Sequence, residues 1–141
     1  MTKSILLVED SPTDEKLTVH AFKRSNIENE IVVAHDGFEA LEYLLGKPPG
    51  NEAKELPAVV LLDLNLPRIS GLEVLRRIRA DEHTRYLPVV ILTGSKEDED
   101  LIRGYALGAN AYVRKPVDFG EFVEAARTLG LFWLLLNQRA P

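Results

Sequence analysis

Five short apolar runs alternate with longer amphipathic stretches, and this rhythm limits the fold more than any other feature of the chain. The runs are Ile5-Leu6-Leu7-Val8, Ile31-Val32-Val33, Val59-Val60-Leu61-Leu62, Val89-Val90-Ile91-Leu92 and Ala111-Tyr112-Val113. They are short, rich in β-branched residues and nearly free of polar ones, as strands covered on both faces of a parallel sheet are. Periodicity alone does not exclude buried helix; their shortness favours strand. Between them the helix starts are legible. Ser11-Pro12-Thr13-Asp14 offers a cap, a proline for the first helical position and an acid for the first turn. Asp36-Gly37-Phe38-Glu39, Ser70-Gly71-Leu72-Glu73, Ser95-Lys96-Glu97-Asp98 and Asp118-Phe119-Gly120-Glu121 repeat the spacing. In each, the cap oxygen can accept from a free backbone N–H and the acid suits the positive helix end. Apolar residues follow at helical steps, Phe38, Leu41 and Leu44 in the second helix and Leu72, Leu75 and Ile78 in the third. Gly46 and Gly108 stand where helices end. Strand and helix so alternating predict an α/β domain, a parallel sheet with helices on both faces and right-handed crossovers.

The 141 residues make one domain, 1–141, and the absence of cysteine excludes disulfides and thiolate metal sites. Met1 to Ser4 runs straight into a strand, so no signal peptide is expected. The longest apolar run, Leu131 to Leu136, falls far short of the roughly 20 residues a membrane span needs. A net charge of −5 gives no general attraction to nucleic acid, and no basic face or helix-turn-helix follows the strands. The expectation is a cytoplasmic globular protein with no membrane or nucleic-acid partner.

In open parallel sheets ligands bind beyond the carboxyl ends of the strands. There the first strand delivers Glu9 and Asp10, the third Asp63, the fourth Thr93 and the fifth Lys115 followed by Pro116. Crowded carboxylates repel until a cation or a proton relieves them. With only oxygen donors at hand the cation would be hard, Mg²⁺ above all. A nucleophilic carboxylate beside positive groups is what phosphoryl transfer requires of a protein. Lys115 supplies a point charge and Thr93 a hydroxyl for the phosphoryl oxygens. Taken singly, Asp63 reads as a turn former, Thr93 as a strand end and Lys115 as a solvated side chain. Their joint placement favours chemistry.

These segments resemble the receiver domain of two-component response regulators, across residues 4 to about 128. The matching motifs are Leu6-Leu7-Val8-Glu9-Asp10, Leu62-Asp63-Leu64-Asn65-Leu66-Pro67 with Gly71, Leu92-Thr93-Gly94, and Val113-Arg114-Lys115-Pro116. The resemblance implies a flavodoxin-like doubly wound sheet of order 2-1-3-4-5 with five helices. It implies Asp63 as phosphoacceptor, Asp10 and Asp63 as Mg²⁺ ligands, Glu9 as a ligand through water, and the Asn65 backbone carbonyl completing the protein's share. Thr93 and Lys115 would hold the phosphoryl group, Gly94 would keep space beside it, and Pro116 would follow in a cis peptide. Tyr112 takes the place of the switch aromatic. A sensor histidine kinase would be the phosphodonor, and the face of the fourth helix, fifth strand and fifth helix would change with phosphorylation. Asn65 and Ser95 resemble positions that tune phosphoryl lifetime.

Two features go beyond a minimal receiver. One is the connection Gly46 to Pro57, which holds three of the eight prolines and reads as a surface loop. The other is residues 129–141, an extension of the last helix. With Phe122, Ala126, Leu129 and Trp133 toward the sheet, Leu131, Leu134 and Leu135 point elsewhere, which marks an interface or a tail folded back on its own domain. Gly130 suits a bend there. Both features, and the expectation of no output domain after residue 141, resemble the small regulators that partner phytochrome-type histidine kinases and pair through this end of the fold. A homodimer through that face and the tail follows. His20, His35 and His83 show no metal spacing; His20 is placed on the inner edge of the first helix and all three are read as structural.

Phosphohydrolases that form an aspartyl phosphate need an acid two residues after the nucleophile, where this chain has Asn65, so an enzyme is not expected. A flavin site would need a phosphate-cradling loop after the first strand, where Glu9 and Asp10 stand. The alternative that survives is a phosphorylation-independent, receiver-like adaptor.

Overall fold

A computed structural model describes residues 3–24, 27, 29–46, 55–93, 103, 106–115 and 118–128. The five predicted strands form as β1 (Ile5–Val8), β2 (Ile31–Ala34), β3 (Val59–Asp63), β4 (Val89–Thr93) and β5 (Ala111–Arg114). They make one parallel sheet of order β2-β1-β3-β4-β5. The helices are α1 (Pro12–Arg24), α2 (Gly37–Leu45), α3 (Gly71–Ala80) and α4 (Phe119–Thr128). Four of the five predicted helices are thus described, α4 being the predicted fifth. Of the segment after Ser95, Arg103 and Ala106 are helical, and Leu107 N–H donates to the Arg103 carbonyl at 2.9 Å. Residues 47–54 of the proline-rich connection, Gly94, Ser95, Pro116 and the extension 129–141 lie outside the described residues, as does the Thr93 side chain.

Successive strand residues point to opposite faces, which divides the core in two. Ile5, Leu7, Val59, Leu61, Val90, Leu92 and Val113 pack with Phe22 of α1 and Phe122 of α4, whose ring centroids lie 4.7 Å apart. Leu6, Val8, Val60, Leu62, Val89 and Ile91 pack with Leu41 and Leu44 of α2 and Val74, Leu75 and Ile78 of α3. Burial on both faces explains why β1 and β3 are apolar without alternation.

The caps form as the sequence predicts wherever they are described. Ser11 Oγ accepts from Asp14 N–H at 3.2 Å, Asp36 Oδ1 from Glu39 at 2.8 Å, Ser70 Oγ from Glu73 at 3.2 Å and Asp118 Oδ1 from Glu121 at 3.1 Å. Gly46 closes α2, its N–H on the Glu42 carbonyl, and Gly108 takes a φ of 101°.

Two placements need correction. Phe38 is half exposed rather than part of the buried stripe, which on α2 runs through Gly37, Ala40, Leu41 and Leu44. The Arg68 guanidinium covers its ring from 5.1 Å while pairing with Asp36. Arg68 holds this position with a φ of 66°, unusual for a side-chain-bearing residue, and so ties the β3–α3 loop to the start of α2. His20 is exposed, because Thr18 and Phe22 are the buried positions of α1 and a residue midway between them faces outward. Among the described residues, no helix is long and apolar enough to cross a membrane.

Candidate functional site

The sheet register carries the polar residues to one edge. Val8 pairs with Leu62, so Glu9 comes level with Asp63; Asp63 pairs with Leu92 and Thr93 with Arg114, so β3 ends one step beyond β1, β4 one step beyond β3, and β5 level with β4. Lys115 immediately follows β5. Gly71 brings α3 hard against this edge: its N–H donates to the Leu64 carbonyl at 3.1 Å. A Cβ there would stand 2.4 Å from the Asp63 carbonyl oxygen and 2.7 Å from Leu64 Cα, so only glycine permits the approach.

Oxygens of Glu9, Asp10 and Asp63 lie within 4.8 Å of one another. Glu9 is fully buried and Asp63 nearly so, whereas Asp10 is exposed. Asp63 is held at both oxygens: Asn65 N–H donates to Oδ1 at 3.1 Å and Lys115 Nζ to Oδ2 at 2.9 Å. Lys115 Nζ also donates to Asp14 Oδ2 at 3.0 Å and lies 2.9 Å from Glu9 Oε1. The contact with Glu9 is an ion pair without hydrogen-bond alignment, so the buried Oε1 has no directional donor. Glu9 Oε2 accepts weakly from Ser11 N–H at 3.3 Å.

Burial pushes the Glu9 carboxyl up to about 7, the Asp63 carboxylate adds to the rise, and Lys115 offsets only part of it. Burial alone would lower the Lys115 ammonium, but Glu9, Asp63 and Asp14 together hold it above its ordinary value. Among the described residues, acid outnumbers base in this pocket.

Glu9, Asp10, Asp63 and Lys115 therefore come together as the sequence placed them. Asn65 lies alongside, exposed, with its backbone N–H on Asp63. The Thr93 backbone ends β4 at the same edge, and Tyr112 on β5 is 45% exposed. Asp14 was missed. Its sequence signal, an acid in the first turn of α1, was read as a helix-end charge, yet its carboxylate also reaches Lys115.

The acidic trio offers only oxygen donors, one of them an aligned-donor-free buried carboxylate oxygen, and this set fits a divalent cation. A structure of the regulator Rcp1 is described as Mn²⁺-bound; the chain is 36% identical to it over 94% of each chain, with a TM-score of 0.73. The bacteriophytochrome response regulator AtBRR is more similar, at 51% identity, 97% of this chain, 99% of the other and a TM-score of 0.85. Among curated relatives, the probable methanogenesis regulatory protein FilR2 of Methanothrix harundinacea is 40% identical over 97% of this chain and 86% of its own. Residues 5–127 match the response regulator receiver domain, a signalling domain served by histidine kinases and phosphorylated on aspartate. The chain belongs to the response regulator receiver family.

Proposed function

We propose that Asp63 accepts the phosphoryl group. The observation that carries this reading is Asp63 itself, a nearly buried carboxylate held 2.9 Å from an ammonium inside an acid-rich pocket. A phosphohistidine donor would lose its N–P bond as an Asp63 oxygen bonds to phosphorus, the histidine nitrogen keeping the electron pair. Mg²⁺ is the cation we assign to Asp10, Asp63, the Asn65 carbonyl and, through water, Glu9; when bound it neutralises charge on the phosphoryl oxygens. Lys115 and Thr93 receive those oxygens, Gly94 leaves room for them, Pro116 sets the path of the chain after Lys115, and Tyr112 answers the change at Thr93.

The donor we infer is a phytochrome-type histidine kinase, supported by the similarity to AtBRR. Signalling then proceeds in the cytoplasm through protein contacts, with a homodimer formed by β5, the helices flanking it and the tail. A phosphotransfer assay in which an unrelated kinase is preferred over a phytochrome-type one would remove that narrower assignment. The central test is the intact mass of the protein after incubation with Mg²⁺ and acetyl phosphate. A phosphoryl adduct is expected on the wild type and not on Asp63→Asn, and its loss with chelator is expected too. No adduct on the wild type would leave the phosphorylation-independent adaptor.

A further inference from the structure

Asp14 has no task in the proposed function. Its backbone N–H is already capped by Ser11 Oγ, while its carboxylate accepts from Lys115 Nζ at 3.0 Å, across 101 positions of chain. The three carboxylates around Lys115 differ in depth. The Glu9 side chain is 0% exposed, that of Asp63 6% and that of Asp14 37%. Asp14 is therefore the rim member of the set. An ammonium has three N–H groups, and three carboxylates surround this one at 2.9–3.0 Å. Asp14 and Asp63 hold two of these N–H groups and Glu9 crowds the third, so a phosphoryl oxygen must compete with these carboxylates for Lys115. Glu9 and Asp63 belong to the acidic trio that fits a cation, and Asp14 stands outside that trio while contacting Lys115.

We infer that Asp14 is a positioning residue of the acceptor site, a rim carboxylate that competes with the incoming phosphoryl group for Lys115 and thereby slows the loading of Asp63. The inference rests on Asp63 being the acceptor. It also links loading to α1, because the same carboxylate sits in the first turn of that helix and is released when Lys115 turns to the phosphoryl group.

Acetyl phosphate gives the cleanest test. An Asp63 oxygen bonds to phosphorus as the P–O bond to acetate breaks, and acetate leaves with the electron pair, so no proton transfer intervenes. Initial rates of adduct formation are compared by intact mass for the wild type, Asp14→Asn and Asp14→Glu in saturating Mg²⁺, at low and high salt, with circular dichroism melts to show that each is folded. Asp14→Asn should load about three- to tenfold faster at low salt, the scale of one nearby charge in a partly wet site. The gap should narrow as salt screens the anionic donor, and Asp14→Glu should keep the wild-type rate. A purely structural Asp14 would shift the melt without raising the rate. An Asp14→Asn rate at or below the wild type overturns the inference, as do equal rates for the Asn and Glu variants, since charge would then not be the cause. A wild type that takes no phosphoryl group overturns the acceptor reading itself, which separates the two failures.

Discussion

The two ends of the sheet each gather polar groups around one cation, and they do so to opposite effect. At the amino end, Arg79 from α3 donates to the Gly108 carbonyl through Nε and Nη2, to the Arg85 and Leu87 carbonyls through Nη1, and to Asn110 Oδ1 through Nη2. All five guanidinium N–H groups are engaged, and every acceptor is neutral. Asn110 Oδ1 also accepts from Val89 N–H at 2.8 Å, so this one residue joins the starts of β4 and β5 to the end of α3. At the carboxyl end, Lys115 faces Glu9, Asp14 and Asp63 with Asp10 beside them, and one buried oxygen lacks an aligned donor. A satisfied cluster fixes the scaffold. An acid-rich cluster stores unfavourable charge that a ligand can relieve.

The largest expected effect lies at the satisfied end. Arg79→Ala strands acceptors in part-buried loops and should cost about 2–4 kcal/mol of stability by urea unfolding. Arg79→Lys should recover only part, because an ammonium offers three donors and no planar fork. The rate of adduct formation per folded molecule should not change. A loss below about 0.5 kcal/mol would show that the Arg79 cluster does not hold the scaffold.

Next comes a pH effect confined to the acid-rich end. A carboxyl whose folded value is raised from 4.5 to about 7 binds a proton more tightly folded than unfolded. Between those values the folded state holds more protons, so the metal-free protein loses stability as pH rises through that window and levels off above it. Mg²⁺ must displace that proton, so its affinity should fall toward tenfold per unit as pH drops below about 7. Calorimetric Mg²⁺ titrations at pH 5.5 and 8 would check this. Equal affinities would mean that Glu9 is ionised throughout. Chelation should lower the melting temperature at pH 8 far more than at pH 5.5.

The same contrast explains what the sequence made legible. Strands covered on both faces show themselves as unbroken apolar runs, and caps are local, so Ile5–Val8 or Ser70 with Glu73 can be read in one window. Strand ends then place Glu9, Asp63 and Lys115 together by topology alone. The link from Asp14 to Lys115 crosses 101 positions and depends on how α1 leaves β1, which no local pattern encodes. The Arg79 cluster was hidden for another reason: four of its five hydrogen bonds go to backbone carbonyls, which every sequence possesses. Phe38 and His20 were misplaced because period alone gives a stripe's spacing before it gives its phase. On α2 small Gly37 and Ala40 are buried, and a Cβ on Gly37 would come within 2.8 Å of Val74 Cγ2.

The smallest effect has the opposite sign from the first. Asp63→Asn deletes the proposed acceptor, yet it also removes one negative charge from a pocket where Glu9, Asp14 and Asp63 surround Lys115 with Asp10 beside them. Lys115 keeps Glu9 and Asp14 as partners, so no cation is stranded, and the new amide can still accept at one oxygen from Asn65 N–H. The metal-free variant should therefore gain about 0.5–1 kcal/mol in urea unfolding at pH 8. The gain should shrink at pH 5.5, where a protonated Glu9 has already eased the crowding, and it should vanish or reverse in saturating Mg²⁺, which relieves the wild type instead. Destabilisation of the metal-free variant at pH 8 would mean that the Asp63–Lys115 pair outweighs the repulsion, and that the carboxyl end, like the amino end, is built for stability.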